Sequence, residues 1–410
     1  MMKLLSGIFL FLFFFSNSLT AQSKLLTGWY RASVTRPDDA KLIFNIEVTE
    51  KNKKTIIYIR NGAERLLVDD IKQKGDSVFI EMPFFESSFK LKIQPDQSLA
   101  GKWIKGTSTK YLELPVEFIY GVKERFKVTS TAKENISGRW KVDFTRPNGT
   151  DRPAIAEFQQ KGSSLTGTFL TPSGDYRFLE GVVSGDSLYL SCFDGSHAYL
   201  FTAEIKQNEI INGSFYSSAS NKETWRAEKN ELAALPDTIQ RTQLKPGESK
   251  LNFSFKDVNG KTVSINDARY KSKVVVIQIM GSWCPNCMDE SKFLTAFYKQ
   301  YQSKGVEVIA LAYEYSTDFN RSKASVLKFI NRFGIKYPVL ITPTTVSDEQ
   351  RTEKTLPQLT PIRSFPTTIF LNRRGNVYKV DNGFYGPGTG EFYQQFKSEF
   401  YRTIQSLLAE

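Results

Sequence analysis

An internal repeat constrains the fold of this chain more than any other feature. Within the first 230 residues, short motifs built from glycine, aromatic and turn-forming residues recur at a spacing of 110 positions. The matched pairs are 28–30 with 138–140, 34–37 with 144–147, and 75–80 with 185–190. Glycine followed by Asp-Ser is typical of a tight turn, and Thr-Arg-Pro is typical of a strand end, because proline cannot continue a central ladder. We therefore expect two copies of one unit.

Both copies alternate apolar and polar residues over short runs, as in 41–48 and 55–59, and they contain almost no helical periodicity. An aromatic content of 13% also suits strands. The sequence predicts a duplicated antiparallel all-β region, with repeat 1 at 22–130 and repeat 2 at 131–231. The matched residues favour a structural or docking role, and a ligand pocket within or between the copies is the alternative.

The pattern changes after a proline-containing stretch at 232–249, which we interpret as a linker. Residues 250–410 begin with a hairpin around Asn259-Gly260 and continue with the apolar run 274–279, which is typical of a strand buried on both faces. Helical stripes then alternate with further strands, and Gly334 is predicted to end the second helix. This order predicts a C-terminal α/β domain, so the whole chain is multidomain.

The N-terminus has the pattern of a signal peptide spanning 1–21. Lys3 precedes an apolar run of about a dozen residues, and a small-residue cleavage site ends at Ala21. The run is shorter than the ~20 residues that span a bilayer, although an uncleaved anchor is the alternative. We expect an exported, periplasmic protein that is not transmembrane after cleavage. The net charge of +12 comes from scattered residues, so nucleic acid is not an expected partner.

The chemistry is concentrated in Cys284-Pro285-Asn286-Cys287, which lies between the buried strand and the following helix. Unpaired N–H groups and the dipole at a helix N-terminus favour the thiolate of Cys284, and Cys287, one turn later, can attack a mixed disulfide formed on it. Pro285 suits the first helical turn. This arrangement predicts thiol–disulfide exchange without a cofactor. An inert disulfide and a metal pair are weaker alternatives, the latter because a second ligand pair is missing. Cys192 is expected to be a buried, inert thiol.

A second motif, Phe365-Pro366-Thr367, precedes a predicted strand some 80 residues downstream. Together with Trp283 and Glu290 in Trp-Cys-x-x-Cys-x-x-Glu, it resembles the TlpA/ResA-like thiol-disulfide oxidoreductases of the thioredoxin superfamily. The resemblance covers about 248–410 and implies a thioredoxin-like domain. It also implies a cis Pro366 beside the disulfide and a substrate surface formed by Trp283, Phe365, Pro285 and Thr367. It further implies protein thiol or disulfide substrates and a membrane thiol-disulfide electron donor.

Glu314 follows the second strand of the α/β region, in an insert that also resembles this family. The resemblance implies that a glutamate there handles protons, and a solvated surface residue is the alternative. Thioredoxin has a buried aspartate where this chain has Gln278, which cannot accept a proton and so increases the interest of Glu314. The expected function is reduction of protein disulfides. Disulfide oxidation or isomerisation, and a β-domain binding protein with an accessory thioredoxin-like domain, are the alternatives.

Overall fold

The computed structural model describes residues 24–236 and 240–410. The predicted signal peptide, 1–21, lies outside the described residues, as does the linker segment 237–239. Within the described part of the first 236 residues, every regular element is a strand. No helix among the described residues is long and apolar enough to cross a membrane.

The first described strands form a nine-stranded antiparallel sheet, hereafter the first sheet. Its strands are β1 (Gly28–Thr35), β2 (Lys41–Lys51), β3 (Lys54–Asn61), β4 (Glu64–Val68), β5 (Asp70–Lys74), β6 (Ser77–Glu81), β7 (Ser87–Ile93), β8 (Leu99–Gly106) and β9 (Tyr111–Tyr120). Their order is β4-β3-β2-β1-β9-β8-β7-β6-β5, so β4 and β5 are the two edges.

The next nine described strands form the second sheet. They are β10 (Gly138–Thr145), β11 (Asp151–Lys161), β12 (Ser164–Thr171), β13 (Gly174–Asp175), β14 (Leu179–Ser184), β15 (Ser187–Phe193), β16 (Ala198–Lys206), β17 (Glu209–Ser217) and β18 (Asn221–Lys229). Here β12 pairs with both β11 and β14, so the strands close into a ring around a core rich in aromatic side chains.

The two barrel-like sheets follow the same strand plan. β1, β2, β3 and β4 each begin 110 positions before β10, β11, β12 and β13. The two sheets differ at one place, because β12 and β14 are hydrogen-bonded whereas β3 and β5 are not. The spacing of the sequence motifs is thus also the spacing of the strands.

The C-terminal region is a mixed sheet flanked by helices. Its elements are β19 (Ser254–Asp257), β20 (Thr262–Ser264), β21 (Val274–Met280), α1 (Pro285–Tyr301), β22 (Val306–Ala312), α2 (Phe319–Phe333), β23 (Val339–Ile341), α3 (Arg351–Thr355), β24 (Thr367–Leu371), β25 (Val377–Asn382) and α4 (Glu391–Ala409). The order is β20-β19-β23-β22-β21-β24-β25, with β21, β22 and β23 parallel. Every residue of β21 is buried, as predicted for a strand covered on both faces.

The two sheets also contact each other closely. Phe193, at the end of β15, stacks on Phe44 of the first sheet with ring centroids 4.2 Å apart. Its backbone N–H and C=O are both bonded to the Asn61 side chain, at 3.1 and 2.8 Å. The predicted linker is likewise packed on the C-terminal region, because Leu244 forms a β-bridge with Leu359. One apolar cluster also contains residues of all three parts, among them Phe44, Phe193 and Phe297.

Candidate redox site

Cys284 lies where β21 ends and α1 begins. It is the N-cap residue of α1, and its sulfur accepts a hydrogen bond from the N–H of Cys287 at 3.1 Å. Pro285 occupies the first helical turn, where no N–H is needed. Cys284 and Cys287 form a disulfide, with their Cα atoms 5.2 Å apart. When the pair is reduced, the helix N-terminus and this N–H favour negative charge on Cys284.

The Phe365-Pro366 peptide lies beside this pair, and its bond is cis. The Cys284 sulfur is 3.5 Å from the carbonyl oxygen of Phe365. The Trp283 ring packs against that of Phe365, with centroids 5.4 Å apart, and its Nε1 donates to the carbonyl of Tyr313 at 2.8 Å. Thr367 is buried, and its hydroxyl donates to the Ser364 carbonyl at 2.8 Å, so this side chain serves to hold the loop.

Glu314 is a buried carboxyl beneath the turn that leads to the cysteines. Its two oxygens accept from the N–H of Ser282 at 2.8 Å and from the Ser282 hydroxyl at 2.6 Å. Burial raises the pKa of Glu314 to about 7. The alternative of a solvated surface residue is therefore wrong for this conformation. The hydrogen bonds connect Glu314 to the cysteines through the backbone of the turn.

Glu290 is a second buried carboxyl, on α1 three residues after Cys287. It accepts from Gln278 Nε2 at 2.7 Å and from the Thr368 hydroxyl at 2.5 Å. The same Gln278 nitrogen lies 3.5 Å from the Cys287 carbonyl oxygen, so a short chain of contacts joins Glu290 to Cys287. Burial raises the pKa of Glu290 to about 7. Both glutamates can therefore exchange a proton near neutral pH.

Comparisons with known proteins place this site in a family. The model of the Redoxin family matches residues 245–391. The thiol-disulfide oxidoreductase ResA of Halalkalibacterium halodurans is 28% identical over 167 residues, which cover 40% of this chain and 80% of the relative. ResA of Bacillus subtilis is 28% identical over 143 residues, 35% of this chain and 70% of the relative. The C-terminal domain is a TlpA/ResA-like domain of the thioredoxin superfamily. It is therefore a thiol-disulfide oxidoreductase domain.

Among solved structures, a thioredoxin family thiol:disulfide interchange protein from Chlorobium tepidum matches at 23% identity and a TM-score of 0.30. The match covers 42% of this chain and 99% of that chain. All of these matches cover less than half of this chain.

The structure brings together the residues expected around the redox pair of the TlpA/ResA-like domain. The cysteines are surrounded by Trp283, Pro285, Phe365 and Pro366. Glu314 is connected to them through its hydrogen bonds to Ser282, in the turn before Cys284. Sequence reasoning did not find the contribution of the second sheet. Asn286, between the cysteines, donates to the carbonyl of Asp175 at 3.1 Å. No sequence pattern links these two residues, because they belong to different domains and are 111 positions apart.

Proposed function

We propose that this protein is an exported reductase of protein disulfides. The observation that carries the proposal is the position of Cys284 at the N-terminus of α1. Its sulfur accepts a hydrogen bond from the N–H of Cys287 and is also joined to the Cys287 sulfur in the disulfide. The proposed organisation is a signal peptide at 1–21, β-rich repeats at 22–130 and 131–231, a linker at 232–249, and the thioredoxin-like domain at 250–410. The proposed location is the periplasm.

In the proposed reaction, the Cys284 thiolate attacks one sulfur of a substrate disulfide. The substrate S–S bond breaks, a mixed disulfide forms, and one substrate thiolate leaves and is protonated. Cys287 then loses its proton and attacks the Cys284 sulfur, which releases the second substrate thiolate. The substrate gains two electrons and the cysteine pair becomes oxidised. A membrane thiol-disulfide donor would return the electrons by the same exchange.

The surrounding residues have distinct proposed roles. Pro366, Phe365 and Trp283 form the surface against which the substrate chain lies, and Pro285 and Thr367 hold that surface in place. Glu314 and the Glu290 network take up and return the protons. The pKa values of about 7 support this role, because a carboxyl of that pKa exchanges protons at neutral pH.

Two measurements on the full chain test the proposal. Cys284→Ser is expected to abolish reduction of a protein disulfide, and activity that survived in this variant would contradict the proposed chemistry. Titration of the pair in thiol buffers gives the direction of electron flow. A reduction potential near that of thioredoxin, about −270 mV, is expected for a reductase. A value near about −120 mV would instead make the protein a disulfide donor or isomerase.

A further inference from the structure

The redox pair is covered in this structure. Cys284 is 4% exposed and Cys287 is fully buried. Thiol–disulfide exchange needs the attacking sulfur to meet a sulfur of the substrate, so a substrate chain must be able to reach Cys284. Two loops of the second sheet lie on this side of the domain. We call them cover loop 1 (172–178, containing β13) and cover loop 2 (194–197, between β15 and β16).

Both cover loops are bonded to the cysteine motif itself. In cover loop 2, the Ser196 hydroxyl donates to the carbonyl of Trp283 at 2.9 Å. In cover loop 1, the carbonyl of Asp175 accepts from Asn286 at 3.1 Å, and Gly174 lies so close that a Cβ there would be 2.3 Å from the Asn286 amide nitrogen. Trp283, directly before Cys284, and Asn286, two residues after it, are thus both bonded to loops of the second sheet.

Arg177 fastens the cover loops to α1 and to the first sheet. It donates to Asp289 on α1 at 2.9 and 3.3 Å and to Glu64 of the first sheet at 2.6 Å. It is also 3.5 Å from Asp194 in cover loop 2. The guanidinium is almost completely buried, so these pairs act with little screening by water. A single cation therefore connects three parts of the chain beside the redox pair.

The contacts made by the cover loops on the cysteine motif are polar and few. Most of the aromatic core of the second sheet forms a cluster separate from the one that contains Cys284 and Cys287, but Phe193 and Ala198, which flank cover loop 2, belong to the cluster of the cysteines. If these two flanking residues stay packed, moving the loops away from the cysteine motif breaks mainly hydrogen bonds and ion pairs.

We propose that cover loops 1 and 2 of the second sheet form an autoinhibitory cover over Cys284. In the closed state described here, the cover keeps protein disulfides from the redox pair, and substrate exchange occurs only after the loops move away from α1. This assignment gives part of the duplicated region a function, because its loops control the access of protein disulfides to Cys284. It rests on the proposed role of Cys284 as the attacking thiol.

Alkylation kinetics test the cover without requiring turnover. The full-length protein is reduced, freed of reductant and treated with iodoacetamide or with a bulky polyethylene-glycol maleimide, and modification at each cysteine is followed by peptide mass spectrometry. Rates are compared at the high-pH plateau, where Cys284 is fully thiolate, so that they report access and not pKa. The same protein in guanidinium chloride gives the rate for the uncovered thiol.

Two variants loosen the cover by different means. Ser196→Ala removes the hydrogen bond to Trp283. Gly388→Ala places a methyl group 2.8 Å from the backbone carbonyl of Arg177, which forces cover loop 1 and the turn at Pro387–Thr389 apart without removing a charge. The matched control is Ser187→Ala, which changes the same residue type at the opposite end of β15 from cover loop 2. Circular dichroism establishes that each variant is folded.

We expect Cys284 of the folded wild type to react at least about 100-fold more slowly than in denaturant, and more slowly still with the bulky reagent. Ser196→Ala should raise the rate about fivefold and Gly388→Ala by more, while Ser187→Ala leaves it unchanged. A wild-type rate within about threefold of the denatured chain would overturn the proposal. So would equal rates in the cover variants and the control. If alkylation follows the expectation but no variant reduces a protein disulfide, the cover stands and the proposed function fails.

Discussion

Two buried glutamates, Glu290 and Glu314, distinguish this redox site at the scale of single residues. Each has an ordinary pKa of 4.5 that burial raises to about 7. A carboxyl whose pKa is higher in the folded state than in the unfolded state favours folding most when it is protonated. Its contribution is complete below about pH 4.5 and is lost as the pH rises through 7. The stability of the protein should therefore depend on pH in the neutral range.

Glu290→Gln tests this dependence. The amide can still accept from Gln278 and can donate to the Thr368 hydroxyl, but it does not ionise. The unfolding free energy of the oxidised wild type should fall from pH 5 to pH 8, and in Glu290→Gln this fall should be smaller by about 3 kcal/mol. Denaturant titrations of both proteins at pH 5 and pH 8 measure this difference in unfolding free energy.

Glu314→Gln serves as the companion variant, because Glu314 has the same pKa but different partners. Glu314→Gln should also make the fall in unfolding free energy from pH 5 to pH 8 smaller, by a similar amount. Parallel pH dependences in the wild type and both variants would show that neither carboxyl titrates in this range. The sequence indicated Glu314 only through a family resemblance, and its burial could not be read from its neighbours, since it depends on the turn at Ser282 from another part of the chain.

At the scale of elements, much of the architecture could be predicted. The apolar run of β21, the hairpin β19–β20 and the end of α2 at Gly334, which adopts a left-handed conformation with φ 64°, all agree with the local sequence. These features are local, because each depends on periodicity or on one turn residue. The closure of the second sheet was not predicted, since pairing of β12 with β14 depends on contacts that no short pattern encodes.

Helix α2 allows a prediction about a single element. Its N-cap, Asp318, accepts from the N–H of Arg321 at 2.7 Å. Asp318→Ala should lower the unfolding free energy by about 1 kcal/mol, because the N–H loses its partner. Asp318→Asn keeps an acceptor oxygen and should retain most of that stability. Equal losses in the two variants, measured by denaturant unfolding, would show that the charge matters and the cap does not.

At the scale of the whole molecule, one buried arginine joins the two sheets. Arg125 donates to Asn45 of the first sheet at 3.0 Å and to the carbonyl of Ser191 in the second sheet at 3.1 Å. It also forms an ion pair with Glu180 at 3.2 Å. Its position in the connection between repeats gave no sequence signal, because the partners lie 80 and 66 positions away.

Arg125→Met should therefore cost about 3–5 kcal/mol of unfolding free energy, because it keeps the bulk of the side chain but leaves several buried acceptors unpaired. The control is Arg226→Met, whose side chain is 76% exposed and whose replacement should change stability by less than about 0.5 kcal/mol. Thermal unfolding of both variants measures the difference. Similar melting temperatures would show that Arg125 contributes nothing to holding the two sheets together.

The open edge of the first sheet has a consequence for how the chain is made. β4, one of the two edges, is bound near its end by Arg332 of α2, which lies 265 positions later and donates to the carbonyl of Leu67 at 2.6 Å. This contact of β4 can therefore form only after α2 has been synthesised, and a growing chain presents the edge without it until then. Unpaired edges promote aggregation, and charged side chains are the usual protection. β5, Asp-Ile-Lys-Gln-Lys, has three charges in five residues. β5 stays largely exposed in the folded protein, and its charges protect this edge both during synthesis and afterwards.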